Sequence, residues 1–186
     1  PDARDLEEDA AEAPGRRASP GDFFASLDYI GQVGRCYLVC QSEGALHLVD
    51  QHAAHERVVF ERLRLAWERH DVSSQRLLFP LQIQLEPELG RAAENHADVL
   101  RRMGFDCEPF GGHDRVVAAV PALLVDTDPL PVLLEVLAEL GDRGLSREME
   151  ARTERILATV ACHSAVRSGD AMKPDEARDL LRQMDG

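Results

Sequence analysis

The stretch Ala45-Leu46-His47-Leu48-Val49-Asp50-Gln51-His52-Ala53-Ala54-His55-Glu56-Arg57 reads as a strand up to Val49 and as a helix after Asp50. An aspartate at such a junction is a preferred N-cap, because its carboxylate accepts hydrogen bonds from N–H groups that the helix cannot satisfy itself. The helical pattern runs on with Val59, Leu63, Ala66 and Trp67 on one side, together with His52 and Glu56, whereas Arg57, Glu61, Arg64 and Glu68 take the other. A helix that follows a strand directly begins at a sheet edge, where sites are commonly built.

Working outward, Asp28 to Gln32 and Cys36 to Cys40 read as strands, and Ser42-Glu43-Gly44 as the turn into the next one. Downstream, Leu81 to Leu85 reads as a strand, and Pro87 to Met103 as one helix with its proline harmlessly in the first turn. Phe105 to Phe110 and Arg115 to Val120 pair around Gly111-Gly112. Helices are predicted over Pro129 to Leu140 and Ser146 to Arg167, separated by Gly141 to Gly144, with Gly169 ending the second; Lys173 to Met184 is a last short helix. The class is α+β, in two lobes joined by the long helix. The expected division is 1–20 as an acidic linker tail, 21–49 as strands of the first lobe, 50–70 as the motif helix, 71–160 as the second lobe, and 161–186 as helices returning to the first.

Composition bounds the function. With 186 residues, 44% hydrophobic and 30% charged, the chain is that of a globular protein with a real core. No apolar run approaches the roughly 18 residues needed to cross a bilayer, and the acidic start is no leader, so no membrane role and a cytoplasmic location are expected. The tail, with Asp2, Asp5, Glu7, Glu8, Asp9 and Glu12 ahead of Pro14-Gly15, points to a domain cut from a longer protein. A net charge of −13 predicts weak binding to double-stranded DNA by this chain alone, since counterion release needs a basic surface. Cys36, Cys40, Cys107 and Cys162 form no CxxC pair; Cys36 and Cys40 are expected on one strand face as small buried hydrophobes.

His52, His55 and Glu56 are spaced i, i+3 and i+4, so they project from one side of the first helical turns. An imidazole and a carboxylate one turn apart can chelate one cation, and Asp50 can aim a second carboxylate at the same point. The plainer alternative is that Asp50 only caps the helix, Glu56 pairs with an arginine and the histidines are satisfied surface or core groups. His52-x2-His55-Glu56 is not the arrangement of the common zinc hydrolases.

Asp50-Gln51-His52-Ala53, then Glu56 and Glu61, fits the DQHA-x2-E-x4-E signature, and Ala161-Cys162-His163-Ser164-Ala165-Val166-Arg167-Ser168-Gly169 resembles a second segment of the same family. The chain thereby resembles, from about Tyr29 onward, the C-terminal domain of the MutL proteins of DNA mismatch repair that nick DNA. The resemblance implies a dimerisation lobe that forms a homodimer and a regulatory lobe. It also implies a centre binding Zn2+, with Mn2+ or Mg2+ supporting phosphodiester cleavage. By position, His52, Glu56 and Cys162 would be metal ligands, and Asp50 and Glu56 catalytic. Gln51, Ala53 and Glu61 would be structural, and His55, which the signature does not specify, has no assigned role. Action at the nucleoid, a MutS-type mismatch-recognition partner and ATP handling by an N-terminal part are further implications; this chain has no phosphate-binding glycine loop. The family's late Cys-Pro-His-Gly-Arg-Pro segment and final strand do not occur before Gly186. From that, a fragment is expected that binds metal weakly, cleaves poorly and leaves an open sheet edge.

Gln75-Arg76-Leu77-Leu78-Phe79-Pro80 resembles the family's Gln-x-x-Leu-x-Pro peptide for the replication sliding clamp. Gln75 would supply amide hydrogen bonds, Leu78 an apolar anchor and Pro80 a restricted backbone, which suits extended docking. A buried helix-to-strand connection is the alternative. A clamp encircling DNA would also deliver an acidic nuclease to its substrate.

Overall fold

A computed structural model describes residues 22–141, 149–164 and 171–185. Three strands, β1 (Asp28–Val33), β2 (Tyr37–Ser42) and β3 (Ala45–Asp50), form an antiparallel sheet in that order. Helix α1 (Gln51–Glu68) leaves β3 without a loop. A second antiparallel sheet has the order β4 (Ser74–Ile83), β6 (Arg115–Pro121), β5 (Asp106–Pro109). Between its strands lie α2 (Pro87–Asn95) and α3 (Ala97–Arg102), and after them come α4 (Pro129–Gly141), α5 (Met149–Ser164) and α6 (Pro174–Gln183). The expected α+β class with two small sheets is observed. No described helix is long and apolar enough to cross a membrane.

Two apolar clusters meet along α1. Leu27, Leu38 and Cys40 pack with Ala54 and Val58 of α1 and with Ala177, Leu180 and Leu181 of α6. One turn further, Leu63 joins the larger cluster that includes Ile83, Phe105, Val117, Leu133, Leu137, Ile156 and Leu157. A single helix therefore belongs to both cores.

The division of α1 corrects the expected helix face. Its buried residues are Gln51, Ala54, Val58 and Leu63, while the His52 and Glu56 side chains keep 40% and 33% exposure. His52 and Glu56 thus lie at the flank of the packed stripe, not within it. The charged side is as expected: Arg57 and Arg64 both pair with Glu61, and Arg64 also with Glu68.

Other boundaries shift for physical reasons. Cys36 sits in the β1–β2 turn, where Gly34 and Arg35 have positive φ, so it does not share a strand face with buried Cys40. Strand β4 begins seven residues before the expected Leu81, because β6 offers a continuous partner: Ser74 pairs with Pro121 and Ile83 with Arg115. The single helix expected over Pro87 to Met103 breaks at His96 (φ −120°, ψ 25°), although backbone bonds from His96 N to Ala92 O and from Leu100 N to His96 O bridge the break. Gly104 then takes φ +92° with Pro121 Cα 3.1 Å from where a Cβ would stand, so only glycine fits without strain. The β5–β6 turn uses Gly111 and Gly112 at positive φ, as their position between two strands predicts. The acidic tail, the junction before α5, and the segment from Ala165 to Gly169 lie outside the described residues.

Candidate metal centre

The site begins with the cap. Asp50 Oδ1 accepts from the backbone N–H groups of His52 and Ala53 at 2.9 and 3.0 Å. The same junction is tied from behind, where the Gln51 N–H donates to the Cys36 carbonyl at 2.8 Å. Gln51 itself is buried, and its Oε1 accepts from Gln32 Nε2 of β1. The Gln32 Oε1 accepts in turn from the Met172 N–H, just before α6. A partly buried amide chain of this kind fixes the first turn of α1 against both its neighbours.

With that turn fixed, His52 Nε2 stands 3.1 Å from Glu56 Oε1. The C-terminal end of α5 lies beside it, and the exposed Cys162 thiol is near enough to Glu56 for that carboxylate to act on it as a hydrogen-bond acceptor. Glu56 therefore contacts an imidazole one turn away and neighbours a thiol from a distant helix. The thiol is raised above its ordinary range, first by that hydrogen bond, then by partial burial and by the charges of Glu56 and Glu135. Among the described residues, no three His, Cys, Asp or Glu side chains are grouped as a ready cation shell. The contacts are pairwise, with Glu56 common to both.

Asp50 is exposed, its Oδ1 committed to the cap, and Ala53 is exposed beside it. Glu61 is held away from this cluster by its two arginines. His55, the histidine without an assigned role, turns toward a pocket of 320 Å³ shared with Gln51, Met172 and Leu180. Burial, then the charges of His52 and Arg62, holds its imidazole below the usual range. Its Nε2 is buried with no hydrogen-bond partner among the described residues. Cys107 is pushed up to about 12, chiefly by burial, and is partly buried against the larger core. Gln32 and Glu135 were not legible as site neighbours, because nothing in the local spacing marks contacts made across separate elements.

The segment Gln75 to Pro80 lies in β4. Pairing with β6 skips from Arg76 to Leu81, so the intervening residues bulge from the ladder. Leu78 and Phe79 are 87% and 79% exposed, which excludes the buried connection considered from sequence. Gln75 and Pro80 are exposed with them.

Over residues 30–172 the chain matches the family described as MutL C terminal dimerisation domain. The chain belongs to this family. Among its relatives, the DNA mismatch repair protein MutL of Syntrophotalea carbinolica is 41% identical over 92% of this chain and 27% of its own length. The protein of the same description from Geotalea daltonii is 42% identical over 95% of this chain and 29% of its own length. That from Geobacter sulfurreducens is 42% identical over 89% and 27% respectively. The chain spans under a third of the length of these MutL relatives.

Proposed function

We propose that this chain is the dimer-forming domain of a MutL protein of DNA mismatch repair, and that in the full-length protein its motif helix makes metal-dependent nicks in double-stranded DNA. The observation that carries the reading is the convergence of His52 and Cys162 on the carboxylate of Glu56. Imidazole, carboxylate and thiolate are the donors that zinc takes, and Cys162 reaches Glu56 from the far end of the sequence. On this reading His52, Glu56 and Cys162 hold the cation, which would polarise the phosphodiester and lower the pKa of an attacking water, with Mn2+ or Mg2+ supporting cleavage. On this reading Asp50, exposed at the same helix end, serves the reaction beyond its capping role.

Asp50→Asn is the test. Asparagine caps a helix about as well as aspartate, so the fold of α1 is retained while the charge is removed. In the full-length protein, nicking of supercoiled plasmid with Mn2+ is expected to fall at least about 100-fold, with bound zinc unchanged. Nicking within a fewfold of wild type would remove Asp50 from the mechanism.

A homodimer follows from the family's description, and the outer face of the first sheet is where we place it. Ile30, Val33, Tyr37, Leu46 and Leu48 are all exposed there. An apolar surface of this extent marks an interaction site.

The net charge of −13 makes DNA a weak partner for the domain alone, and on this reading a sliding clamp delivers it. Leu78 and Phe79 are presented on the β4 bulge as apolar anchors for it. Replacing Gln75 and Leu78 together by alanine is expected to weaken binding to purified clamp at least about tenfold, as for loss of a central anchor. Both side chains are exposed, so the melting temperature stays put. Unchanged clamp affinity in surface plasmon resonance would rule the peptide out. A MutS-type partner, ATP handling elsewhere in the protein and work at the nucleoid belong to the same proposal.

A further inference from the structure

We propose that Glu135 of α4 is a positioning residue for the Cys162 side of the metal centre, an inference that rests on the metal-binding reading above. Cys162 stands near the C-terminal end of the described part of α5, where tertiary contacts fix the direction of its turn. Those contacts come from two flanks. Toward α1, the Cys162 thiol neighbours Glu56, whose carboxylate raises it. Toward α4, the neighbouring His163 places Nε2 3.2 Å from Glu135 Oε2, and the His163 carbonyl accepts from Thr127 Oγ1 at 3.4 Å.

Consecutive side chains on a helix diverge by about 100°, so a ring anchored at His163 sets the direction of Cys162. Glu135 thereby determines whether the thiol faces Glu56. The pair is partly exposed, with 32% of the His163 side chain and 57% of Glu135 open to solvent. A contact of that exposure adds little to global stability and acts through the orientation of one turn. The signature helix contributes nothing to it; the contact is made by α4 and α5.

Cobalt(II) titration of the whole chain tests the idea, because a thiolate ligand gives cobalt a near-ultraviolet charge-transfer band. Glu135→Gln is expected to weaken cobalt binding about fivefold, the scale of one hydrogen bond, and to lower the band per bound cobalt at unchanged melting temperature. Glu135→Asp should recover part of both. Hydrogen exchange supplies a metal-free readout: amides of residues 158–164 should exchange faster in Glu135→Gln, with those of α4 unchanged. Unchanged exchange overturns the positioning role whether or not cobalt binds. Unchanged cobalt affinity and band in Glu135→Gln overturns it also. A wild-type chain that binds no cobalt, with exchange still accelerated in the variant, overturns the metal reading and leaves the positioning of Cys162 supported.

Discussion

Replacing Glu56 by alanine will weaken zinc binding at least about 100-fold while shifting the melting temperature of the metal-free chain by no more than about 2 °C. Glu56 is the side chain that contacts His52, at 3.1 Å, and neighbours the Cys162 thiol, which it raises. Its removal leaves an imidazole and a thiol with no shared neighbour. Helix α1 itself should not suffer, because alanine is the best helix former and Glu56 is not part of the buried stripe of Gln51, Ala54, Val58 and Leu63. A second consequence separates the site from the fold. The hydrogen bond to Glu56 is the largest cause that raises the Cys162 thiol, so its loss returns the thiol toward its ordinary value of 9.0. At pH 8 a larger thiolate fraction then reacts, and alkylation of Cys162 by iodoacetamide should be faster in Glu56→Ala than in the wild type. Competition with a chelator of known zinc affinity reads the first effect and mass spectrometry of the alkylated peptide reads the second. Zinc affinity within about threefold of wild type would leave the proposed centre without its common ligand.

Leu48→Asp should turn the dimer into a monomer at micromolar concentration. On β3, Leu46 and Leu48 point outward at 66% and 63% exposure, alternating with half-buried His47 and Val49. Leu48 stands opposite Val39 of β2, with Tyr37 and Val33 further along the same face and Ile30 exposed on β1. A carboxylate introduced into the middle of an apolar interface loses its hydration without gaining a partner, a cost of several kcal/mol. At about 1.4 kcal/mol per tenfold, the dissociation constant should rise on the order of 100-fold to 1,000-fold. The isolated chain already exposes Leu48 to solvent, so the variant should fold as the wild type does. Light scattering after gel filtration, over a dilution series, measures the change. Val125→Asp, on an equally exposed residue of the second lobe, is the control that should stay dimeric. A dimer that survives Leu48→Asp would move the interface to another surface.

How far each feature could be read from sequence depended on the range of the interaction behind it. The strand-to-helix switch at Asp50 was legible because a cap is local: the carboxylate and the two N–H groups it serves lie within three residues. The Gly111-Gly112 hairpin was legible for the same reason, since its positive φ values belong to the turn alone. The break at His96 carries neither proline nor glycine, so nothing local announces it. It arises where α2 buries Ala92 and Ala93 and α3 buries Leu100 in the same core from different directions. The early start of β4 was invisible too, because it is β6 that recruits Ser74 to Arg76.

From the order of its residues alone, this protein carries the class of its fold, a motif helix that starts at Asp50, and the donor types gathered near that start. Those follow from short-range chemistry and from the spacing of side chains on one helix. Tertiary packing decided the rest. It buried Gln51 and left His52 and Glu56 half open, because α1 is gripped first by one core and then by the other. It also brought Cys162 to Glu56 and His163 to Glu135, contacts between residues so distant along the chain that only the assembled helices could bring them within reach.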